Sequence, residues 1–375
     1  MRNQPASQDG RWKRAAVLAL GAGLLVSCGA GGTSDEAKPA VSAAVPDIEC
    51  PAGGGQVRGS GSSAQQNAMK RWMQQYQLAC GEVRLAYNPL GSGAGVAQFQ
   101  RGATNFGGTD QALTSEDRSV PEDVCRGGRA IDLPMVGGPI AIGFNIPGVT
   151  DLVLDAPTLA RILDARITKW NHPAIQRLNP DVKLPDLPVV PVHRADDSGT
   201  TQNLNAYLKG AAGDRWPYPA DKKWQARGGH SANGSDAVST AVTQTEGAIG
   251  YFELSFAVKR KIDTVAIATG AAEPVAPSTK SASAGIAAAK VAGEGKDLRL
   301  KFDYKTSAEG AYPLVLVTYE IVCDTGNKPE SLPALKSFLA YTASEEGQQE
   351  LHSIHYAPLP DSVAAQVREV ISTLS

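Results

Sequence analysis

The sequence has little of what most enzyme chemistries need. Five histidines and five cysteines are scattered over 375 residues, and no close Cys/His pair has the spacing of zinc ligands. No Gly-x-Ser-x-Gly stretch surrounds Ser63, Ser92 or Ser198, so a nucleophile elbow is absent. No Walker A sequence is present either. There is no Lys/Arg block, and the 36 basic residues are balanced by 38 acidic ones, which argues against nucleic acid as a partner. The one apolar segment of membrane type, from Ala15 to Val26, is too short for about 30 Å of hydrocarbon, which takes roughly 20 residues.

What is there begins with an address. Arg2, Arg11, Lys13 and Arg14 precede that apolar run, and the run ends Leu25-Val26-Ser27-Cys28-Gly29. Charge, length and the placed cysteine resemble the signal of exported bacterial lipoproteins, in which the cysteine carries the lipid and becomes the new N-terminus. The leader lacks an Arg-Arg pair, which favours the general export route. Residues 1–27 are therefore expected to be removed. That takes away four of the 36 basic and one of the 38 acidic residues and leaves a net charge of −5. Residues 28–55 are rich in Gly, Ser and Pro and read as a flexible tether. Cys50, Cys80, Cys125 and Cys323 remain, an even number in an oxidising compartment. Of the three pairings open to four cysteines, Cys50–Cys80 with Cys125–Cys323 is the one favoured.

The folded part starts near Gln56 and is long enough for two domains of ordinary size. A short strand ends at Arg58, and a helix from Ala64 onward places Ala68, Trp72 and Tyr76 on one face. Val83, Leu85 and Tyr87 alternate as a strand, a helix spans Val96 to Arg101, and Phe106 lies on a third strand ending near Asp110. Further strands are expected over Ile140 to Ile146, Val189 to His193, Ala248 to Phe256 and Leu314 to Val322. Helices are expected from Pro157, from Thr200, over Leu335–Thr342, Glu346–Ser353 and Ser362–Leu374, and the Ala-rich middle of 281–295 permits one. Strand, turn and helix recurring in this order are the α/β pattern.

One small theme occurs three times between a strand and a helix: Gly59-Ser60-Gly61-Ser62-Ser63, Gly91-Ser92-Gly93-Ala94-Gly95, and Asp196-Asp197-Ser198-Gly199-Thr200. A helix start offers unsatisfied N–H groups and partial positive charge, glycine lets an anion approach the backbone, and hydroxyls add donors. A single such turn is explained by ordinary helix capping. Three of them with Arg194 beside the third point to a compact oxyanion, since Arg can give two parallel bonds to a phosphate group. Asp196 is placed to hold that arginine. Asp110, after Asn105-Phe106-Gly107-Gly108-Thr109, puts a carboxylate beside the anion. That is reasonable when the oxyanion still carries a proton, as phosphate does and sulfate at neutral pH does not.

At these residues the chain resembles the phosphate-binding proteins of bacterial phosphate ABC importers, the PstS family. The similarity runs from about Gly59 to the C-terminus. It also includes Asn145-Ile146-Pro147-Gly148, Ile167-Thr168-Lys169-Trp170-Asn171, Gly247-Ala248-Ile249-Gly250-Tyr251 and Ala357-Pro358-Leu359-Pro360. The resemblance implies a two-lobed, periplasmic-binding-protein-like (type II) fold: two mixed-sheet α/β domains joined by two crossing strands. Lobe 1 would be 56–136 plus 315–375 and lobe 2 would be 137–314. It implies phosphate ligands at Ser63, the N–H of Ala64, Ser92, Asp110, Arg194, Ser198, Gly199 and Thr200. It further implies no catalysis, no cofactor and no metal. The expected setting is a monomer at the extracytoplasmic face of the cell membrane, held by lipid (palmitate) on Cys28 and serving permease subunits whose ATPase lies inside the cell. Two departures stand out. Ser63-Ala64 replaces the family's usual Thr-Phe, and Asp197 replaces a usual glycine, which adds negative charge near the anion unless its side chain points to solvent.

Other readings are weaker. A secreted phosphatase would need a nucleophile, base or metals, and His193 would face away from Arg194 on a strand. A dinucleotide site at Gly59-x-Gly61-x-x-Ala64 lacks the ribose-binding acid, because Tyr87-Asn88-Pro89 ends the next strand. A receptor for sulfate or molybdate is disfavoured by Asp110.

Overall fold

A computed structural model describes residues 48–375 except Ala288. The basic leader, Cys28 and most of the tether lie outside the described residues. Strand β1 (Gly55–Gly61) leads to α1 (Gln66–Ala79), then β2 (Val83–Asn88), α2 (Ser92–Gln100) and β3 (Phe106–Thr109). β1 lies between β2 and β3, parallel to both. Helix α1 forms as its periodicity dictates: Ala68, Trp72 and Tyr76 are all fully buried. Trp72 Nε1 donates to Gly347 O at 2.7 Å, and Tyr76 packs edge-on against Phe338.

Strand β4 (Ala130–Phe144) runs for 15 residues, all buried. Beyond it lie β5 (Val153–Asp155), α3 (Ala156–Leu163), α4 (Pro173–Leu178), β6 (Val190–Arg194), α5 (Gly199–Ala212), β7 (His230–Ala232), α6 (Gly234–Gln244), β8 (Ala248–Glu253) and α7 (Leu254–Arg260). The short β9 (Asp263–Thr264) and β10 (Ala266–Ala268), α8 (Thr279–Ala287), and the short β11 (Lys290–Val291) and β12 (Leu300–Lys301) precede β13 (Val315–Cys323). The chain closes with α9 (Leu332–Thr342), α10 (Glu345–Gln349), a 3₁₀ turn over Glu350–Ile354, and α11 (Asp361–Ser372).

The long strands join two α/β halves. From Ala130 to Pro139, β4 pairs antiparallel with β13, which pairs on its other side with β3. From Ile140 to Phe144 the same strand pairs with β8 instead, and β8 continues to β6 and β7. The strand order is β2-β1-β3-β13-β4-β8-β6-β7. The first ten residues of β4 escape a sequence reading because Pro134, Gly137, Gly138 and Pro139 interrupt the alternation. Pro134 stands beside a bulge, where the register of β13 shifts between Thr318 and Tyr319, a position that tolerates a missing donor. Gly137 exchanges two 2.9 Å backbone bonds with Ala357.

Several expectations are corrected. The strand expected to reach Phe256 stops at Glu253, whose carboxylate accepts from Ser255 N at 2.9 Å and starts α7. Helix α2 begins at Ser92, not Val96, because Gly91 at φ +100° serves as its N-cap and the glycines after it are helical. The helix expected over Glu346–Ser353 is α10 followed by the 3₁₀ turn. Cys50 is bonded to Cys80 and Cys125 to Cys323, with Cα atoms 5.4 and 5.3 Å apart.

Where the halves meet behind the crossing strands, Glu253 is fully buried. Its Oε2 also accepts from Ser255 Oγ at 2.5 Å, while Oε1 has no partner among the described residues. Asn67 of α1 donates to Ser255 Oγ at 2.8 Å and Tyr356 donates to Ala64 O at 2.5 Å, tying α1 to this corner. Burial pushes the Glu253 carboxyl up to about 8 against the hydrogen bonds of Ser255. A carboxyl raised on folding binds its proton more tightly in the folded state, so its contribution to stability falls as pH rises from the ordinary Glu value to about 8. Glu253→Gln, neutral throughout, should therefore leave stability little changed at pH 5. At pH 9 it should raise the melting temperature above wild type; a variant less stable than wild type at both pH values would contradict this.

Candidate functional site

The three Gly/Ser/Thr turns converge. The first is stitched to its neighbours by backbone bonds from Ser62 N to Gly108 O and from Gly91 N to Gly61 O, both 2.8 Å. Ser62 Oγ accepts from Ala64 N at 3.0 Å. The Ala64 N–H, expected to face a ligand, is thus used within its own turn. Ser63 is buried and its Oγ accepts from Ser235 N at 3.0 Å, with Ser235 Oγ 3.2 Å away. Ser92, the first residue of α2, accepts from Asp110 N at 3.2 Å.

Asp110 sits at the centre, 2% exposed. Thr318 Oγ1 donates to its Oδ1 at 2.8 Å and Thr200 Oγ1 to its Oδ2 at 2.9 Å. Asn203 Nδ2 donates to its backbone O at 2.7 Å. Burial raises its carboxyl above the ordinary range, opposed by hydrogen bonds from Ser62, Thr318 and Thr200 and by the charge of Arg194.

Arg194 ends β6 and is equally buried. Its Nε and Nη2 grip Asp196 at 2.7 and 2.5 Å, and Nη1 reaches Ser235 Oγ at 3.5 Å. Asp196 Oδ1 also accepts from Gly234 N at 2.9 Å. Burial alone would raise Asp196, but its bonds to Arg194 and that cation's charge bring it below the ordinary carboxylate range. The arginine is therefore held by its back edge. Ser198 caps α5, accepting from Thr201 N at 3.1 Å, which leaves its own hydroxyl proton free to be given. Gly199 and Thr200 open α5, and their N–H groups have no acceptor among the described residues. A Cβ on Gly199 would lie 2.5 Å from Ser92 Oγ and 2.8 Å from Asp110 Cβ, so this close approach requires glycine.

The structure brings Ser63, Ser92, Asp110, Arg194, Asp196, Ser198, Gly199 and Thr200 together across the two halves. Asp197 is exposed, and it is its carbonyl that faces inward, accepting from Gly93 N at 2.9 Å. The added charge thus points to solvent. His193 faces the other side of β6, its ring stacked on Trp224 with centroids 5.0 Å apart. Ser235 and Gly234 join the site from outside the three turns, although Asn233-Gly234-Ser235 is a fourth Gly/Ser turn before a helix. Thr318 and Asn203 are hidden within a strand and a helix of ordinary appearance. Among the described residues no group of three His, Cys, Asp or Glu side chains forms a metal site.

A family model described as the PBP superfamily domain matches residues 49–346. The phosphate-binding protein PstS 3 of Mycobacterium leprae is 40% identical over 362 residues, 96% of this chain and 97% of that one. PstS 2 of Mycobacterium tuberculosis is 39% identical over 368 residues, 96% and 98% of the two chains. This chain belongs to the PstS family. Among solved structures it is similar in fold to a periplasmic phosphate-binding protein, PfluDING, with a TM-score of 0.69 at 20% identity, covering 84% of this chain and 93% of that one. The PstS-family chain therefore has the two-lobed α/β fold of periplasmic binding proteins, built here on mixed sheets and shared long strands.

Proposed function

We propose that the cleft captures inorganic phosphate, with Ser63, Ser92, Arg194, Ser198, Gly199 and Thr200 as donors and Asp110 as acceptor of the phosphate proton. The family assignment makes the chain an extracytoplasmic solute-binding protein of a phosphate ABC importer rather than an enzyme. The observation that carries the ligand reading is the buried Asp110 carboxylate set among donors from both halves. A carboxylate so placed repels an oxyanion that has no proton to share and bonds to one that has. The Ala64 N–H contributes only by leaving Ser62. Equilibrium dialysis of phosphate-stripped protein against labelled phosphate should give one phosphate per chain; a folded sample that retains none would overturn the reading.

Capture needs closure but no chemistry. The change of β4 from β13 to β8 between Pro139 and Ile140 supports lobes at 56–136 plus 315–375 and at 137–314. Asp110–Thr200, Ser63–Ser235 and Gly93–Asp197 are then contacts between lobes that form on closing. The leader and Cys28 support a signal peptide and a lipid anchor, so that a monomer is tethered outside the membrane beside permease subunits and their ATPase. Cys28→Ala should move the protein from the membrane fraction to the soluble one, without change in phosphate binding; retention in the membrane would count against lipidation at this residue.

A further inference from the structure

Behind Asp110 lies a second carboxyl group that the capture reading does not use. Glu320 of β13 stands opposite Gly108 of β3 on one side and Leu133 of β4 on the other, and it is fully buried. Thr318, two residues earlier and so on the same face of the strand, holds Asp110 Oδ1. The space that a Cβ on Gly108 would fill is taken by Gln65 Nε2 and Tyr87 Oη. The missing side chain at 108, the residue opposite Glu320, thus lets the first turn and β2 pack into the space beside that carboxyl.

Among the described residues, three polar atoms there have no partner when every carboxyl is ionised: both Glu320 oxygens and Gln65 Oε1. The neighbouring bonds fix which way the protons point. Tyr87 Oη donates its single proton to Ser62 O at 2.9 Å, so it accepts from Gln65 Nε2, also at 2.9 Å. Gln65 is left with an acceptor, Oε1, still unpaired. Turning the amide over would set Oε1 against the Tyr87 oxygen and would cost either that bond or the one to Ser62. A proton would make Glu320 a donor, and Gln65 Oε1 is an acceptor beside it without a partner, so a neutral Glu320 could satisfy both groups at once. The titratable groups that face Glu320 are Asp110 and Tyr87. Neither is a cation, so among the described residues no opposite charge there offsets one on Glu320.

We propose that Glu320 carries a proton while phosphate is bound and is a positioning residue for Asp110: as a neutral acid anchored on Gln65 it leaves Asp110 the only anion behind the ligand, and its ionisation weakens phosphate capture at alkaline pH. The proposal rests on Asp110 being the acceptor of the phosphate proton. Burial, opposed by the Gln65 amide and reinforced by the Asp110 charge, raises the Glu320 carboxyl to about 8, which places the change above neutral pH. Burial first, and then the Glu320 charge, keeps the Tyr87 hydroxyl protonated well beyond that.

The test is calorimetric phosphate affinity of the stripped mature chain from pH 6.5 to 9.5, for wild type, Glu320→Gln, Tyr87→Phe and Asp110→Asn. The ionisation of phosphate itself is common to all four and cancels in ratios. Glu320→Gln should match wild type at pH 7 within a few-fold and bind roughly tenfold more tightly than wild type at pH 9.5, the factor of one pKa unit. Tyr87→Phe frees the Gln65 amide to turn and donate to an ionised Glu320, so its affinity should start to fall at lower pH than that of wild type. The infrared difference spectrum of wild type minus Glu320→Gln at pH 7 should show the band of a protonated carboxylic acid, the Glu253 acid being common to both and cancelling. Parallel pH profiles for wild type, Glu320→Gln and Tyr87→Phe, with no such band lost, would overturn the proposal. Should Asp110→Asn also keep full discrimination against sulfate, the acceptor reading fails; should it lose discrimination while the profiles stay parallel, only the role of Glu320 fails.

Discussion

Replacing Asp110 by Asn should collapse discrimination between phosphate and sulfate by roughly 100-fold or more, within the range that a site built around one hydrogen-bond acceptor can reach. Two changes act in the same direction. The amide removes the negative charge that repels a fully ionised oxyanion, so sulfate should gain. It also replaces one carboxylate oxygen by a donor, so the phosphate proton loses its best partner. The fold should survive, because Thr200 and Thr318 carry hydroxyls that can turn to accept from an amide nitrogen. Parallel titrations with both anions, with circular dichroism as a control, check this. An unchanged phosphate-to-sulfate ratio would remove Asp110 from the selectivity device.

Arg194→Gln should lose both binding and stability. The side chain is 1% exposed and its partner Asp196 14%. Removing the cation leaves Asp196 with the Gly234 N–H and no countercharge, and breaking such a pair costs about 3–5 kcal/mol. Phosphate affinity should fall by roughly 100-fold, as expected for one lost bond to a charged group and a lost charge. Arg194→Lys keeps the charge but not the fork and should lie between the two. Thermal unfolding separates the two effects: a variant with wild-type stability would mean that Asp196 does not depend on the arginine.

The site was legible in the sequence wherever backbone chemistry writes itself in residue types. Glycines and hydroxyls before a helix mark a place where N–H groups face outward, and three such turns with Arg194 and Asp110 gave the cleft. The fourth, at Asn233-Gly234-Ser235, has the same chemistry but precedes a helix whose buried apolar residues are only Val238 and Val242, so its periodicity is faint. Ala64 shows the opposite limit. Its N–H is present, but Ser62 takes it, and only coordinates show which of two acceptors wins. Thr318 and Glu320 were hidden in a run that reads as an apolar strand, because their partners come from segments about 210 residues earlier in the chain. The fold shows the same division. Helix α1 follows from Ala68, Trp72 and Tyr76, whereas the first ten of the 15 residues of the crossing strand β4 are masked by Pro134, Gly137, Gly138 and Pro139. Its prolines and glycines are accommodated by a bulge and by the Ala357 backbone, neither of which is local.

The most direct test is calorimetry on the mature chain freed of bound phosphate, titrated at pH 7 with phosphate and, separately, with sulfate. Phosphate should bind one to one, and sulfate at least roughly 1,000-fold more weakly, because a fixed acceptor is left facing an anion without a proton. Equal affinities, or sulfate bound in preference, would contradict a cleft built to accept a proton from its ligand.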